Sequence, residues 1–337
     1  MYRKDEIIRL QMDVISQMTR NNLTRIADDL WGSPAAPSVP QAQETAEEQP
    51  KEAAKEEEKP ESIEDLKKEL EGYIGLETVK KEVESLINLV SIQKLRRENG
   101  LPVNDLSLHM VFSGNPGTGK TMIARLMARI YKSLGILSKG QLVEVDRSGL
   151  VAGYVGQTAI KTSEVIEKAK GGVLFIDEAY ALTNRGGTDY GQEAVDTLLK
   201  AMEDNRDDLI VIVAGYIELM EEFVHSNPGL ESRFNRFLHF PDYTVDEMMA
   251  IFDMRCSQNG YQLHENAREL LRSLLALYSL DVKGFGNGRG VRNLFERAVS
   301  AQANRLATDP DITKEDLMTL TADDIRAAGG GAEPQNP

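Results

Sequence analysis

The sequence predicts an α/β protein: a five-stranded parallel sheet with helices on both faces, followed by a small all-α domain. Three observations predict it. From Ser62 to Pro241, short apolar runs alternate with longer runs of helical spacing. A glycine-rich turn, Gly114-Asn-Pro-Gly-Thr-Gly-Lys-Thr121, joins the first of those apolar runs to a helix-forming one. After Pro241-Asp242 the strand-like runs stop and only helical spacing continues.

Taken in order, residues 1–32 carry Ile7, Ile8, Met12, Ile15, Met18, Leu23, Ile26 and Leu30 among polar positions, the stripe of an amphipathic helical segment. That pattern fits a helix folded back on its own domain as well as one that docks a partner. Residues 33–60 hold five prolines and almost no large apolar side chains, and residues 41–60 hold seven Glu against three Lys. Such a stretch cannot bury enough surface to offset its ordering entropy, so it reads as a disordered acidic linker. Residues 61–242 form the predicted α/β domain. Strands are expected at Leu108–Ser113, Gln141–Val145, Val173–Asp177, Leu209–Ala214 and Phe237–Phe240, with helices near 76–98, 120–134, 157–170, 191–204 and 217–226. Residues 243–327 form the helical domain, on the spacing of Met248, Met249, Ile251 and Phe252, of Leu270, Leu271, Leu274 and Leu275, and of Val291, Leu294, Phe295 and Ala298. Residues 328–337, rich in glycine, read as a loose tail.

Composition narrows the function. With 39 Lys+Arg against 54 Asp+Glu, the net charge of −15 repels phosphate backbones, so no nucleic-acid partner is expected. One cysteine, Cys256, gives no disulfide framework. No stretch is apolar enough to span a bilayer, and Met1-Tyr-Arg-Lys-Asp-Glu has no apolar run behind its basic residues, so a cytoplasmic location and no membrane association are expected. The four histidines lack the spacing of a zinc site.

The glycine-rich turn satisfies the phosphate-loop pattern. Glycines there let the backbone N–H groups of Asn115 to Gly119, interrupted by Pro116, curl around phosphate oxygens at a helix N-terminus. Lys120 would neutralise the β/γ-phosphate oxygens of ATP, and Thr121 would ligate Mg²⁺. Downstream, the apolar run Val173-Leu-Phe-Ile176 ends in Asp177-Glu178. A buried strand ending this way delivers Asp177 to the metal and Glu178 to the attacking water, whose proton a carboxylate can accept.

With both elements in place, the chain resembles the AAA+ P-loop ATPases over about residues 63–327. Within them it is most similar to the group of the red-type Rubisco activase CbbX and the stage V sporulation protein K. The resemblance is carried by Gly72-Tyr-Ile-Gly75-Leu-Glu-Thr-Val79-Lys, Phe112 to Thr121, Asp177-Glu-Ala-Tyr180 and Asn227-Pro-Gly-Leu-Glu-Ser-Arg-Phe234. It implies a large ATPase domain with a helical lid, a homo-oligomeric ring, usually a hexamer, and a central pore that remodels or threads a protein substrate. It also implies roles by position. Ile74 and Gly75 would line the adenine pocket. Arg233 would be the arginine finger, with Arg236 as the competitor. Arg289 would be the second sensor on the lid, with Arg292 one turn further as the alternative. Tyr216 stands at the first-sensor position, where Asn or Thr is expected. Tyr154, Val155 and Gly156 occupy the place of an aromatic pore loop. A second reading of the whole chain is a nucleotide-gated scaffold that docks a partner through residues 1–32 and uses hydrolysis as a timer.

Overall fold

The computed structural model describes residues 61–103, 106–154, 156–183 and 190–330. The predicted helical segment 1–32, the linker 33–60, Val155 and the end of the tail lie outside the described residues.

Helix α1 (Ile63–Glu71) opens the described chain, with Ser62 as its cap: the Ser62 hydroxyl accepts from the Asp65 N–H at 3.2 Å. Helix α2 (Glu77–Glu98) follows. Then come β1 (Met110–Gly114), α3 (Lys120–Ser133), β2 (Leu142–Val145), α4 (Arg147–Leu150), α5 (Gln157–Ala169) and β3 (Val173–Ile176). A 3₁₀ turn over Ala179–Thr183 leads to α6 (Gly191–Asp204), β4 (Ile210–Gly215), α7 (Ile217–His225), α8 (Pro228–Arg233) and β5 (Arg236–Phe240). The five strands are parallel, in the order β2-β3-β4-β1-β5. The predicted α/β class is therefore observed, and each strand lies within two residues of its expected bounds.

Burial explains why these runs are strands. β1, β3 and β4 are interior to the sheet and buried along their whole length, as expected of parallel strands covered on both faces. The edge strands β2 and β5 are only partly buried. Successive side chains feed opposite faces. Met110, Phe112, Phe175, Ile212 and Phe240 join α1, α2 and α3 in one core, while Val111, Leu174, Ile176, Val211 and Val213 pack with Ala194, Val195 and Phe223 in the other.

The smaller domain starts at Thr244, whose side chain and that of Glu247 form a capping box for α9 (Val245–Gln258). It continues through α10 (Glu265–Tyr278), α11 (Val282–Phe285), α12 (Asn287–Leu306), α13 (Lys314–Met318) and α14 (Ala322–Ala328). The all-helical expectation needs one correction: Gln262–Leu263 and Thr319–Leu320 pair as a two-stranded parallel sheet, β6 and β7. Two residues are too few to print a period-two pattern. Met248, Phe252, Leu271, Val291 and Leu294 belong to the same core as Phe112 and Phe240, so the lid and one face of the large domain share one apolar interior.

Candidate active site

Strand order decides where the site is. β1, β4 and β3 are neighbours, with Ser113 opposite Gly215 and Ile176 opposite Val213. The residues that follow them, the phosphate loop, Tyr216 and Asp177-Glu178, are therefore delivered to one edge of the sheet, at the carboxyl ends of its strands. A cleft of about 340 Å³ opens there, and Gly117, Lys120, Thr121, Asp177, Glu178, Tyr216 and Arg289 all line it.

The phosphate loop needs its glycines. Gly114, Gly117 and Gly119 have φ of +154°, +76° and +97°, and a Cβ on Gly117 would lie 2.1 Å from the Gly286 carbonyl oxygen. Within the loop the Thr118 hydroxyl donates to the Asn115 carbonyl at 2.8 Å. Lys120 opens α3 and its Nζ donates to the carbonyls of Gly114 (2.7 Å) and Asn115 (2.8 Å). Burial pushes the Lys120 ammonium below its ordinary value, partly offset by the charge of Asp177. Thr121 Oγ1 donates a long bond, 3.4 Å, to Glu144 of β2, a neighbour that sequence reasoning missed.

Glu178 has φ of +50°, rare for a residue with a side chain, at the point where β3 passes into the 3₁₀ turn. Strain of this kind collects at functional sites. The Glu178 N–H donates to Asp177 Oδ1 at 3.1 Å. Tyr180, two residues on, has its hydroxyl pushed up to about 12 by burial and then by the Glu178 charge. Its ring lies 6.1 Å from that of Tyr216.

Other expected residues divide sharply. Arg289, on the first turn of α12, lines the cleft, whereas Arg292 pairs outward with Glu296 at 2.8 Å. Ile74 and Gly75 do not line it. Gly75 instead faces the Glu247 carboxylate and the Tyr243 ring, and Leu76, in the left-handed region with φ of +61°, brings its Cδ1 against Gly119. Arg233 and Arg236 are both away from this cleft. The Arg233 guanidinium is paired with Glu203 at 3.0 Å and the Arg236 Nε donates to the Ser107 carbonyl at 3.1 Å. Tyr154 is 73% exposed, and Gly156, with φ of +78°, caps α5. The base of that loop is fixed by two buried threonines: Thr158 Oγ1 accepts from the Ala152 N–H (3.0 Å) and Thr162 Oγ1 donates to the Leu150 carbonyl (3.1 Å). A second cavity, about 460 Å³, is walled by Val151, Ala152 and Gly153 on one side and by Glu178 on another.

Asp242, Asn287 and Lys283 were not anticipated and all three join the lid to the site. Asn287 sits in the left-handed region between two glycines, a local signal for a turn. Nothing in the linear sequence pairs it with Asp242.

The arrangement agrees with comparisons to known proteins. Residues 110–242 match the ATPase family associated with various cellular activities (AAA), and residues 244–335 match the AAA lid domain. The chain is 41% identical over 269 residues to the stage V sporulation protein K of Bacillus subtilis, covering 78% of this chain and 82% of that protein. It is 46% identical over 240 residues to the chromosomal protein CbxX of Cupriavidus necator, covering 70% and 75%. The crystal structure of the FIGL-1 AAA domain is similar in fold, with a TM-score of 0.55 at 19% identity, covering 80% of this chain and 84% of that one. A phosphate loop, an Asp-Glu pair and a lid arginine on one nucleotide-sized cleft, with relatives above 40% identity, lead to one conclusion: the chain belongs to the AAA family and is an ATP-hydrolysing enzyme.

Proposed function

We propose that the chain assembles into a ring, a hexamer by family resemblance, and couples ATP hydrolysis to pulling on a protein substrate in the cytoplasm. The observation that carries this reading is the double position of Glu178, which lines both the nucleotide cleft and the cavity beneath the loop that bears Tyr154. A change in the Glu178 carboxylate on hydrolysis alters one wall of each. Arg147 adds a mechanical link, since its guanidinium donates to the Ala181 carbonyl at 2.6 Å, joining the start of the loop segment to the turn after Glu178.

In this reading the N–H groups of the loop and of the α3 N-terminus bind the phosphates, and Lys120 supplies the compensating charge. Glu178 orients the attacking water and accepts its proton. Arg289 meets the γ-phosphate from the lid. Thr121 and Asp177 would hold Mg²⁺: a hydroxyl and a carboxylate beside a phosphate site are the hard oxygen donors that ion takes. When bound, Mg²⁺ supplies charge neutralisation at the phosphates. Ile74 and Gly75 would line the adenine pocket by resemblance, and Gly75 lies against Tyr243, which also borders Gly119 of the loop. Arg233 lies outside its own cleft, which suits a residue that acts in a neighbour's site. Exposed and flanked by glycine, Tyr154 suits a ring that grips many sequences by apolar contact.

The test is hydrolysis per subunit measured against protein concentration, with particle mass measured alongside in Mg-ATP, and with an unfolded polypeptide added as probe. Activity that rises with assembly, is stimulated by the polypeptide and loses that stimulation in Tyr154→Ala supports the reading. A monomer whose specific activity is flat with concentration overturns it.

A further inference from the structure

The lid touches the phosphate loop through one buried side chain. Asn287, fully buried, is the first residue of α12, and Arg289 follows two residues later. Its carbonyl oxygen Oδ1 accepts from the Tyr243 N–H at 2.9 Å. Its amide Nδ2 donates to Asp242 Oδ1 at 2.9 Å and, at 3.3 Å, to the Pro116 carbonyl in the loop itself. Asp242 also accepts from Asn115 Nδ2 through both carboxylate oxygens, at 3.0 and 2.9 Å. Beside this relay the Gly288 N–H donates to the Gly117 carbonyl at 3.1 Å.

The donor and acceptor inventory makes the arrangement specific. The Asp242 oxygens serve as acceptors and are met by two amides that donate. Asn287 uses its acceptor and one donor on Tyr243 and Asp242, the segment entering the lid, and its other donor on the phosphate loop, so no other neutral side chain of its size fills all three roles. Its backbone, at φ of +51°, is one that asparagine tolerates better than most residues. An unpaired amide at a fully buried position would be costly, so the relay holds in one register.

We propose that Asn287 is the positioning residue for Arg289: through Asp242 it ties the first turn of the lid helix to Asn115 and Pro116, so that the arginine is presented to the phosphates and lid rotation follows the loop. The proposal rests on the reading of Arg289 as the lid residue that meets ATP.

Four full-length variants test it by steady-state hydrolysis, with thermal melting to establish folding. Asn287→Asp has nearly the same shape but sets a second acceptor-only carboxylate against Asp242, and kcat is expected to fall about ten- to a hundredfold, as in Arg289→Ala. The combined variant Asn287→Asp with Arg289→Ala should fall no further than Arg289→Ala alone, because the arginine is no longer in place to be lost. Exchanging the pair, Asp242→Asn with Asn287→Asp, restores a donor and an acceptor between the two side chains and leaves one acceptor for Asn115, though not the bond to Pro116, and is expected to recover part of the kcat lost in Asn287→Asp. Wild-type turnover in Asn287→Asp, additive losses in the combined variant, or a folded exchange variant no more active than Asn287→Asp would each overturn the proposal. If Arg289→Ala is impaired while Asn287→Asp is not, only this proposal fails. If Arg289→Ala itself turns over normally, the reading of Arg289 fails and takes the proposal with it.

Discussion

The ammonium of Lys283 stands 4.6 Å from the centre of the Tyr216 ring, so a residue of the lid covers the side chain that follows β4 at the floor of the cleft. Tyr216 thus touches the lid through its face and Tyr180, two residues beyond Glu178, through its neighbouring ring. An aromatic ring at this position can answer to the lid's position by a cation–π contact, where a hydroxyl or amide would answer by hydrogen bonding alone.

Such a contact at an exposed site is worth about 0.5–1 kcal/mol. Lys283→Met keeps most of the stem and removes the charge. It is expected to speed release of a fluorescent ADP analogue about two- to fivefold, while Lys283→Arg stays near wild type. Unchanged release in Lys283→Met, measured by stopped flow, would show that the contact does not hold the lid.

Glu178→Gln keeps the size of the side chain and removes its capacity to take a proton. Turnover is expected to fall at least about a hundredfold with ATP still bound. Filter-trapped, unhydrolysed ATP on the variant is the expected result; near-normal phosphate release would move the base elsewhere.

Arg233 and Arg236 make opposite predictions. Arg236 donates to the Ser107 backbone and is expected to matter for stability, whereas Arg233 is paired with the partly exposed Glu203 and can be redirected to a neighbour. Arg233→Ala is expected to lower turnover about a thousandfold, the scale of a lost arginine finger, and to depress wild-type subunits when mixed with them. A loss confined to Arg236→Ala would assign the finger to that residue instead.

His109 is buried, accepts from the Val211 N–H at 3.0 Å, and has its pKa held at about 4, first by burial and then by the Arg233 charge. A base whose folded pKa is depressed binds its proton more readily when unfolded. Its contribution to stability is therefore complete above the ordinary value of 6.5 and is lost as pH falls from there through about 4. Over that window it should remove about 2–3 kcal/mol. His109→Asn keeps an acceptor for Val211 without titrating, so urea unfolding of this variant should lack that part of the acid loss. An identical pH profile would exclude His109 as its source.

Much of the architecture could be read along the chain because the signals are local. A continuous apolar run such as Val173–Ile176 can only be covered on both faces, and Gly117 with Gly119 before Lys120 leaves few uses besides a phosphate loop. The two-residue strands β6 and β7 left no trace, since a pair of residues carries no period, and the helix α1 was not separated from its charged surroundings.

The sequence by itself determined which residues would line the cleft at the strand ends, Lys120, Thr121, Asp177 and Glu178, because backbone freedom, burial and charge at those positions are properties of neighbours in the chain. Only the tertiary structure decided between Arg289 and Arg292 for the cleft, set Gly75 against Glu247, and joined Asn115, Asp242 and Asn287 into one relay. Those relationships depend on strand order and on the docking of the lid, which bring together residues more than a hundred positions apart. Hydrogen bonds at that separation exist only once both domains have packed on their shared core.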